Sequence, residues 1–187
     1  MKNKPKISGI RYWVNFVWEI LKIVIISLAI IIPIRYFLIQ PFFVNGASME
    51  PNFLDGDYLI IDEISYRFDK PERGDVIIFR YPLDPSQFFI KRIIGLPSET
   101  VKIEEGKIII KDISEKTFVL DESKYLSDAY TAGNIELELE DNEYFVLGDN
   151  RQSSSDSRKW GELNRKNIIG QAWIRAWPFN RLGVVNN

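Results

Sequence analysis

A turn of small residues presents one serine that could act as a nucleophile. Ser48 lies in the segment 44–51, with the sequence VNGASMEP. A serine hydroxyl becomes reactive when a base removes its proton, and the sequence contains neither histidine nor cysteine. A Ser-His-Asp triad, a cysteine nucleophile and a zinc site built on those residue types are therefore excluded. Either Ser48 has another kind of base, or its hydroxyl only satisfies local backbone groups, as in most such turns.

A lysine in an apolar strand is the best candidate for that base. The segment 88–94, FFIKRII, alternates so that Lys91 lies between Phe89 and Ile93, with Arg92 on the opposite face. Burial among apolar neighbours disfavours the charged amine, lowers its pKa and lets the neutral form accept a proton near neutral pH. The alternative is that Lys91 lies on an edge strand, where a charge discourages aggregation.

A polar loop at residues 148–158, GDNRQSSSDSR, is the third chemically rich region. It directly follows an apolar run, and such loops are usually solvent-exposed turns. Its hydroxyl, carboxylate and guanidinium groups could also fix a lysine amine and balance buried charge.

The segment 13–38 is predicted to be a membrane anchor that precedes these three regions. It consists mostly of Val, Ile, Leu, Phe and Trp, and spanning a bilayer takes about 20 mostly apolar residues. The preceding residues, 1–12, carry four cations: Lys2, Lys4, Lys6 and Arg11. By the positive-inside rule, these keep the N-terminus in the cytoplasm and place residues 39–187 outside.

Two other interpretations of this segment compete with the anchor. A cleavable signal peptide is disfavoured because Pro33, Arg35 and Tyr36 follow the apolar core, where small residues would be expected. A buried helix of a soluble protein is disfavoured because the segment is apolar around its whole circumference.

Residues 39–187 are predicted to form one extracytoplasmic domain made mainly of strands. Short β-branched runs at 58–62 and 75–80 are bounded by glycine-containing turns. The stretch 100–110 predicts a hairpin with Glu105 and Gly106 at the bend. A small variable insertion is expected at about 100–140, and no function is attached to it.

The composition limits the classes of partner and chemistry. The net charge of −2 argues against nucleic acid, because phosphate binding requires clustered Lys and Arg. Two aromatic residues near the C-terminus, Trp173 and Trp177, fit either a membrane interface or a protein core.

Five short motifs follow the predicted anchor in a fixed order. They are G-x-S-M-x-P at 46–51, G-D-Y at 56–58, R-G-D-V at 73–76, K-R-I-I-G-L-P at 91–97 and G-D-N-R-x-x-S-x-D-S-R at 148–158. Together they resemble the bacterial type I signal peptidases, or leader peptidases, from the anchor to Arg158. One such motif is weak evidence, whereas five in sequence are highly specific.

The resemblance implies a role for each matching residue. Ser48 corresponds to the nucleophile, Lys91 to the general base, and Ser154 to a serine whose hydroxyl orients the lysine amine. The supporting charge pairs implied are Asp149 with Arg92 and Asp156 with Arg158. The residues implied to line shallow substrate pockets are Val44, Met49, Phe53 and Ile90.

The implied protein is a membrane-bound serine endopeptidase that removes N-terminal signal peptides from exported preproteins by a Ser/Lys dyad mechanism. It would cut after small residues in an A-x-A-like pattern, without a metal or other cofactor. The implied fold is mainly β, with two antiparallel sheets preceded by one transmembrane helix. The implied location is the bacterial cell membrane, and the partners are signal peptides, the lipid bilayer and, as a further candidate, the secretion translocon.

Two rival functions are weighed against this one. A non-catalytic scaffold or chaperone in surface-protein assembly would be expected to lose Ser48 or Lys91, and both are present. A self-cleaving Ser/Lys repressor protease is disfavoured by the anchor and by the absence of a DNA-binding region.

The sequence departs from the family pattern at three places. Gly46 stands where some members have a serine that helps to hold the oxyanion, so another group is expected to compensate. Asn52 replaces the usual Thr, and Ser98-Glu99 replaces the usual Gly-Asp. Neither of the last two changes is expected to touch the chemistry.

Overall fold

The computed structural model describes residues 9–37, 40–128 and 130–185. The chain divides into two compact units, residues 1–38 and residues 39–187.

The first unit is a single long helix, α1, Gly9–Phe37. Its stretch Arg11–Ile32 is long and apolar enough to cross a membrane, with a mean hydropathy of 2.2, and none of it is buried within the protein. Two of the three charged residues in this stretch, Glu19 and Lys22, form an ion pair of 2.8 Å one turn apart. The predicted boundaries of the anchor stay a prediction, because residues 1–8, 38 and 39 lie outside the described residues.

The second unit consists mainly of strands. They are β1 Gln40–Phe43, β2 Tyr58–Asp62, β3 Val76–Tyr81, β4 Asp84–Gly95, β5 Thr100–Glu104, β6 Lys107–Lys111, β7 Thr117–Val119, β8 Ile135–Glu138, β9 Glu143–Leu147, β10 Leu163–Asn164, β11 Ile168–Trp177 and β12 Gly183–Val184. Two short helices, α2 Ser65–Phe68 and α3 Ser157–Trp160, and two 3-10 turns, Arg165–Asn167 and Phe179–Arg181, connect them.

These strands form two antiparallel sheets. The larger has eight strands, in the order β1-β2-β11-β3-β4-β9-β10, with β12 added to β11. The smaller has four strands, in the order β7-β6-β5-β8. The predicted fold class, mainly β with two antiparallel sheets and one N-terminal apolar helix, is confirmed.

The smaller sheet lies in the region predicted to be a variable insertion, about 100–140. The predicted hairpin is present as β5 and β6, and its bend residues Glu105 and Gly106 have φ of 52° and 80°. Positive φ at both positions is what a tight two-residue hairpin turn requires. Side chains of this sheet pack with Phe145 and Leu147 of β9 in one apolar cluster, so the region is part of the core.

Strand β4 is the element that positions the cations of the sheet. Its first half is largely exposed, whereas the residues from Ile90 to Gly95 are buried. In that second half it pairs with β3 on one side and with β9 on the other. Lys91 lies opposite Ile77, and Arg92 lies between Val76 and Leu147. The edge-strand alternative for Lys91 is therefore wrong.

Candidate active site

The turn that carries Ser48 is fixed at both ends. The Gly46 N–H donates to the Asp55 carboxylate at 2.7 Å, and Gly46 has φ +87°, which glycine adopts without strain. Met49 is completely buried in the core. The backbone and side-chain amides of Asn150 donate to the carbonyls of Ser48 and Ala47, each at 3.1 Å. The serine turn is thus held against the polar loop 148–158.

Lys91 reaches Ser48 from strand β4. Its Nζ lies 2.7 Å from Ser48 Oγ and donates a second hydrogen bond of 2.7 Å to the Ile90 carbonyl. The residue is only 3% exposed. Burial lowers the pKa of Lys91 to about 8, although the negative charges of Asp156 and Asp149 oppose the shift.

This arrangement can activate the hydroxyl. An amine with a pKa of about 8 is neutral in a sizeable fraction of molecules near neutral pH. At 2.7 Å a neutral amine can accept the Ser48 proton directly. Both hydrogen-bond partners of Nζ are neutral oxygens, so within the described part of the chain no carboxylate contacts the amine to hold its ammonium form.

The opposite face of β4 carries a cation with a different environment. Arg92 donates from Nε and Nη2 to the two oxygens of Asp149, at 2.9 Å and 2.8 Å. Both side chains are almost fully buried. The guanidinium also stacks on Tyr125, with the ring centroid 4.0 Å away. Asn52 donates to Asp149 at 2.8 Å, so this departure from the family pattern joins the charge network beneath the site.

The second charge pair lies within the loop itself. Arg158 donates from Nε and Nη2 to the two oxygens of Asp156, each at 2.8 Å, and the Gly148 N–H donates to the same carboxylate at 3.2 Å. Burial raises the pKa of Asp156, but the hydrogen bonds from Arg158, with a further contribution from the nearby Ser154 hydroxyl, outweigh this effect, so the net pKa is lowered. Asp156 therefore stays ionised near Lys91.

Ser154 lies beside this carboxylate and is 5% exposed. Its hydroxyl makes no hydrogen bond of good geometry to any described residue. Its influence on the pKa of Asp156 places it near that carboxylate. A methyl group added at Gly148 would come within 2.3 Å of Ser154 Oγ and 2.4 Å of the Ser48 carbonyl oxygen. Glycine at 148 thus allows the loop to approach the serine turn.

A buried hydrogen-bonded cluster, which the sequence did not reveal, joins the loop 148–158 to residues of a distant segment. Arg151 donates to the carboxylate of Glu122 and to the hydroxyl of Thr131, and its Nε donates to the Gly148 carbonyl at 3.0 Å. Glu122 and Thr131 belong to the region predicted to be a variable insertion, about 100–140, to which no function was attached. Nothing local in that stretch marked the two residues, since their partner lies in a different motif.

A cleft of about 520 Å³ opens above Ser48 and Lys91. Among the described residues its lining consists of Phe42, Phe43, Asn45, Ser48, Gln87, Phe88, Phe89, Ile90, Lys91 and Ser155. Of the four residues expected to line substrate pockets, Ile90 borders the cleft. The other three, Val44, Met49 and Phe53, pack with Ile90 in one buried core cluster beneath it.

The described residues contain no group of three or more carboxylates arranged to hold a metal ion.

Comparison with known proteins gives consistent matches over most of the chain. Residues 17–177 match the family described as "Signal peptidase, peptidase S26". The probable signal peptidase I-1 of Synechocystis sp. is 34% identical over 100% of this chain and 94% of its own length. The signal peptidase I of Leptolyngbya laminosa is 38% identical over 88% of this chain and 82% of its own.

Solved structures are also similar to this chain. A crystal structure of a signal peptidase I from Enterococcus faecalis is 31% identical, with a TM-score of 0.45, and covers 55% of this chain and 97% of that one. The sequence matches, rather than this superposition, carry the family assignment.

Proposed function

The chain belongs to the signal peptidase family S26, and we propose that it is a Ser/Lys endopeptidase that removes signal peptides from exported preproteins. The observation that carries the proposal is the 2.7 Å contact between Ser48 Oγ and the buried amine of Lys91. Membership of the family supports signal-peptide removal, and this contact supports the dyad as its mechanism.

The reaction begins with proton transfer. Neutral Lys91 accepts the Ser48 proton as Oγ attacks the carbonyl carbon before the scissile bond. The ammonium then gives a proton to the leaving amine, and an acyl-enzyme ester on Ser48 remains. Neutral Lys91 next takes a proton from a water molecule, which attacks the ester carbonyl. As the ester bond breaks, the ammonium returns the proton to Ser48 Oγ and the new carboxylate leaves. The Arg92–Asp149 and Arg158–Asp156 pairs fix the surrounding charges. The role proposed for Ser154 is to orient the amine, although its hydroxyl makes no hydrogen bond to Lys91 in this structure.

The oxyanion of the tetrahedral intermediate needs hydrogen-bond donors, and Gly46 has no side chain to supply one. The Ser48 N–H donates to no described residue, so it is one available donor. Two side-chain amides line the cleft, those of Asn45 and Gln87. Gln87 already donates a hydrogen bond of 2.7 Å to Asp84. The Asn45 amide has no hydrogen bond to another described residue. We therefore assign Asn45 as the second oxyanion donor.

The substrate would enter the cleft as an extended segment. Exposed Phe43 of β1 and Phe88 of β4 stand on its lining, and β1 is an edge strand to which a peptide can add. Cleavage after small residues, with Ile90 at the cleft and Val44, Met49 and Phe53 shaping it from beneath, is part of the same proposal.

The proposed setting is the bacterial cell membrane. The apolar helix and the signal peptidase relatives indicate a membrane protein. We propose that residues 1–12 face the cytoplasm, residues 13–38 span the bilayer and residues 39–187 lie outside. The chain from Ile39 to Ser48 can extend at most about 30 Å, so cleavage would occur close to the membrane surface. The secretion translocon is the further proposed partner.

The test uses the full chain purified in detergent. It is incubated with a preprotein that carries an A-x-A-like site, and the products are located by mass spectrometry. We expect one cut after the signal peptide, and no cut with Ser48→Ala or Lys91→Ala. A non-catalytic scaffold would give no cut with any of the three proteins and would keep its assembly role in the Ser48→Ala variant.

A further inference from the structure

A second cavity of the β domain, of about 270 Å³, is lined by cations. We call it the basic pocket, and its polar lining comes chiefly from Arg92, Lys124, Arg175 and Arg181. Lys124, Arg175 and Arg181 have no role in the proposed peptidase reaction. The inference below goes beyond that reaction and does not depend on it.

Two of the guanidinium groups share one carboxylate. Arg175 Nε lies 3.1 Å and Arg181 Nη1 lies 3.2 Å from the two oxygens of Asp57. Both also donate to the Asn52 carbonyl, Arg181 at 3.0 Å. A single negative charge therefore faces two positive ones, and a carbonyl dipole only partly offsets the difference.

The other cations do not remove this excess. Arg92 is fully matched by Asp149 in a two-point ion pair. Lys124 is exposed and forms no ion pair within 4 Å to a described residue, although the exposed Asp121 attracts it. Glu122, which lies two residues before Lys124 in the chain, forms an ion pair with Arg151. The basic pocket thus has more positive than negative charge.

One buried donor in the basic pocket lacks a hydrogen bond. Arg175 Nε is inaccessible to solvent and has no acceptor of good geometry among the described residues, even though Asp57 is near. Burial lowers the pKa of Arg175, and although Asp57 opposes the shift, the positive charge of Arg181 adds to it. An anion in the cavity would offset the excess positive charge.

Exposed apolar residues adjoin the cationic lining of the basic pocket along the chain. Val184 lines the cavity and is 64% exposed. Arg181 ends the turn Phe179–Arg181, in which Phe179 is 73% exposed, and the next residue, Leu182, is 60% exposed. Exposed apolar side chains next to a cluster of cations fit a ligand with a charged head and hydrocarbon chains.

We propose that the basic pocket binds the phosphate group of an anionic phospholipid. Each of Arg175 and Arg181 has N–H groups beyond those directed at Asp57 and Asn52, and these suit phosphate oxygens. Lys124 adds a point charge. The acyl chains would lie along Phe179, Leu182 and Val184. A lipid is favoured over a free phosphate ion because only the lipid uses these exposed apolar residues.

The experiment measures lipid binding by native mass spectrometry on the full chain in detergent. Phosphatidylglycerol, phosphatidylcholine and inorganic phosphate are titrated separately. We expect phosphatidylglycerol to bind more tightly than the other two. The double variant Lys124→Gln/Arg181→Gln should weaken that binding roughly tenfold, since each basic residue near an anionic lipid contributes separately.

Two controls keep the outcome decisive. Lys107→Gln/Lys166→Gln removes two exposed charges elsewhere in the domain and should leave binding unchanged. Lys124→Gln alone cannot disturb the Asp57 cluster, and it should still weaken binding by a few-fold. Equal loss in the Lys107/Lys166 control, unchanged binding in Lys124→Gln, or phosphate binding as tight as that of the lipid would each overturn the proposal.

Discussion

The two faces of strand β4 treat adjacent buried cations in opposite ways. Lys91 and Arg92 are 3% and 2% exposed, so burial alone does not distinguish them. Arg92 has the two oxygens of Asp149 as partners, whereas Lys91 has a hydroxyl and a carbonyl. Burial lowers the pKa of Lys91 to about 8, while Arg92 forms a two-point ion pair with a carboxylate.

The difference teaches that burial can lower the pKa of Lys91 because its two hydrogen-bond partners are neutral, whereas the buried guanidinium of Arg92 has a carboxylate to offset the cost of burial. Asp149 and Asp156 do raise the pKa of Lys91, but neither carboxylate touches its amine. The face with Arg92 is suited to stability, because breaking a buried ion pair leaves an uncompensated charge. The face with Lys91 is suited to proton transfer.

Replacing Lys91 should have the largest effect on activity. Lys91→Met keeps most of the side-chain volume and removes the amine, so kcat/KM for a preprotein should fall by at least about 10³-fold. Initial rates of product formation measure the change. Lys166→Met, at an exposed position, is the matched control and should retain full activity.

The same variant should be no less stable than the wild type. The pKa of Lys91 is lowered in the folded state from 10.5 to about 8, so between these pH values the unfolded chain binds more protons than the folded one. Wild-type stability should therefore rise with pH across that window, and Lys91→Met should lack the rise. A large loss of thermal stability in Lys91→Met at neutral pH would contradict the contrast between the two faces.

Replacing Arg92 should mainly affect stability. Arg92→Met leaves Asp149 buried without its partner, which should cost about 3–5 kcal/mol in the free energy of unfolding. Denaturant unfolding of the full chain in detergent measures the loss. Arg92→Met/Asp149→Leu removes both charges and should recover a large part of it. If the double variant is as unstable as the single one, the ion pair is not the cause.

The cleft beside Lys91 offers a test with an intermediate effect. Asn45→Ala should lower kcat by about 10²-fold with little change in KM, because an oxyanion donor acts in the transition state. Gln87→Ala is the control, since that cleft-lining amide is already bonded to Asp84. A change in KM alone would show that Asn45 only binds substrate.

The smallest expected effect is a shift in the pH profile. Wild-type kcat/KM should rise with pH through an apparent pKa of about 8 as Lys91 becomes neutral. Asp156→Asn removes a negative charge that raises this pKa, so the rise should move to lower pH by less than about one unit. A shift to higher pH would mean that Asp156 does not act on Lys91 through its charge.

Sequence and structure agree where the signal is local. Alternation along residues 88–94 predicted that Lys91 is buried between apolar neighbours, and the hairpin at Glu105 and Gly106 followed from turn residues. The family resemblance assigned the fold class, which is confirmed. The contact of Lys91 with Ser48 could be expected from that resemblance alone, since no spacing rule brings two residues of different strands and turns together.

Other features could not be predicted because they depend on packing between distant segments. Glu122 and Arg151 are 29 residues apart in the chain, and they are in contact because the segment between β7 and β8 packs beside the loop 148–158. Asn52 was expected to leave the chemistry untouched, yet its amide donates to Asp149, which acts on Lys91 by its charge. Met49 and Phe53 are apolar residues near the nucleophile, and nothing in the sequence shows that they face the core beneath the cleft.

Gly148 shows how a mutational scan of this protein should be interpreted. Even alanine there would collide with the Ser48 backbone, so the position should tolerate substitution as poorly as the reacting pair. Intolerance at 148 reports the separation between two chain segments and identifies no reacting atom. A map of functional residues based on mutational tolerance alone would therefore wrongly include Gly148 among the residues that take part in the reaction.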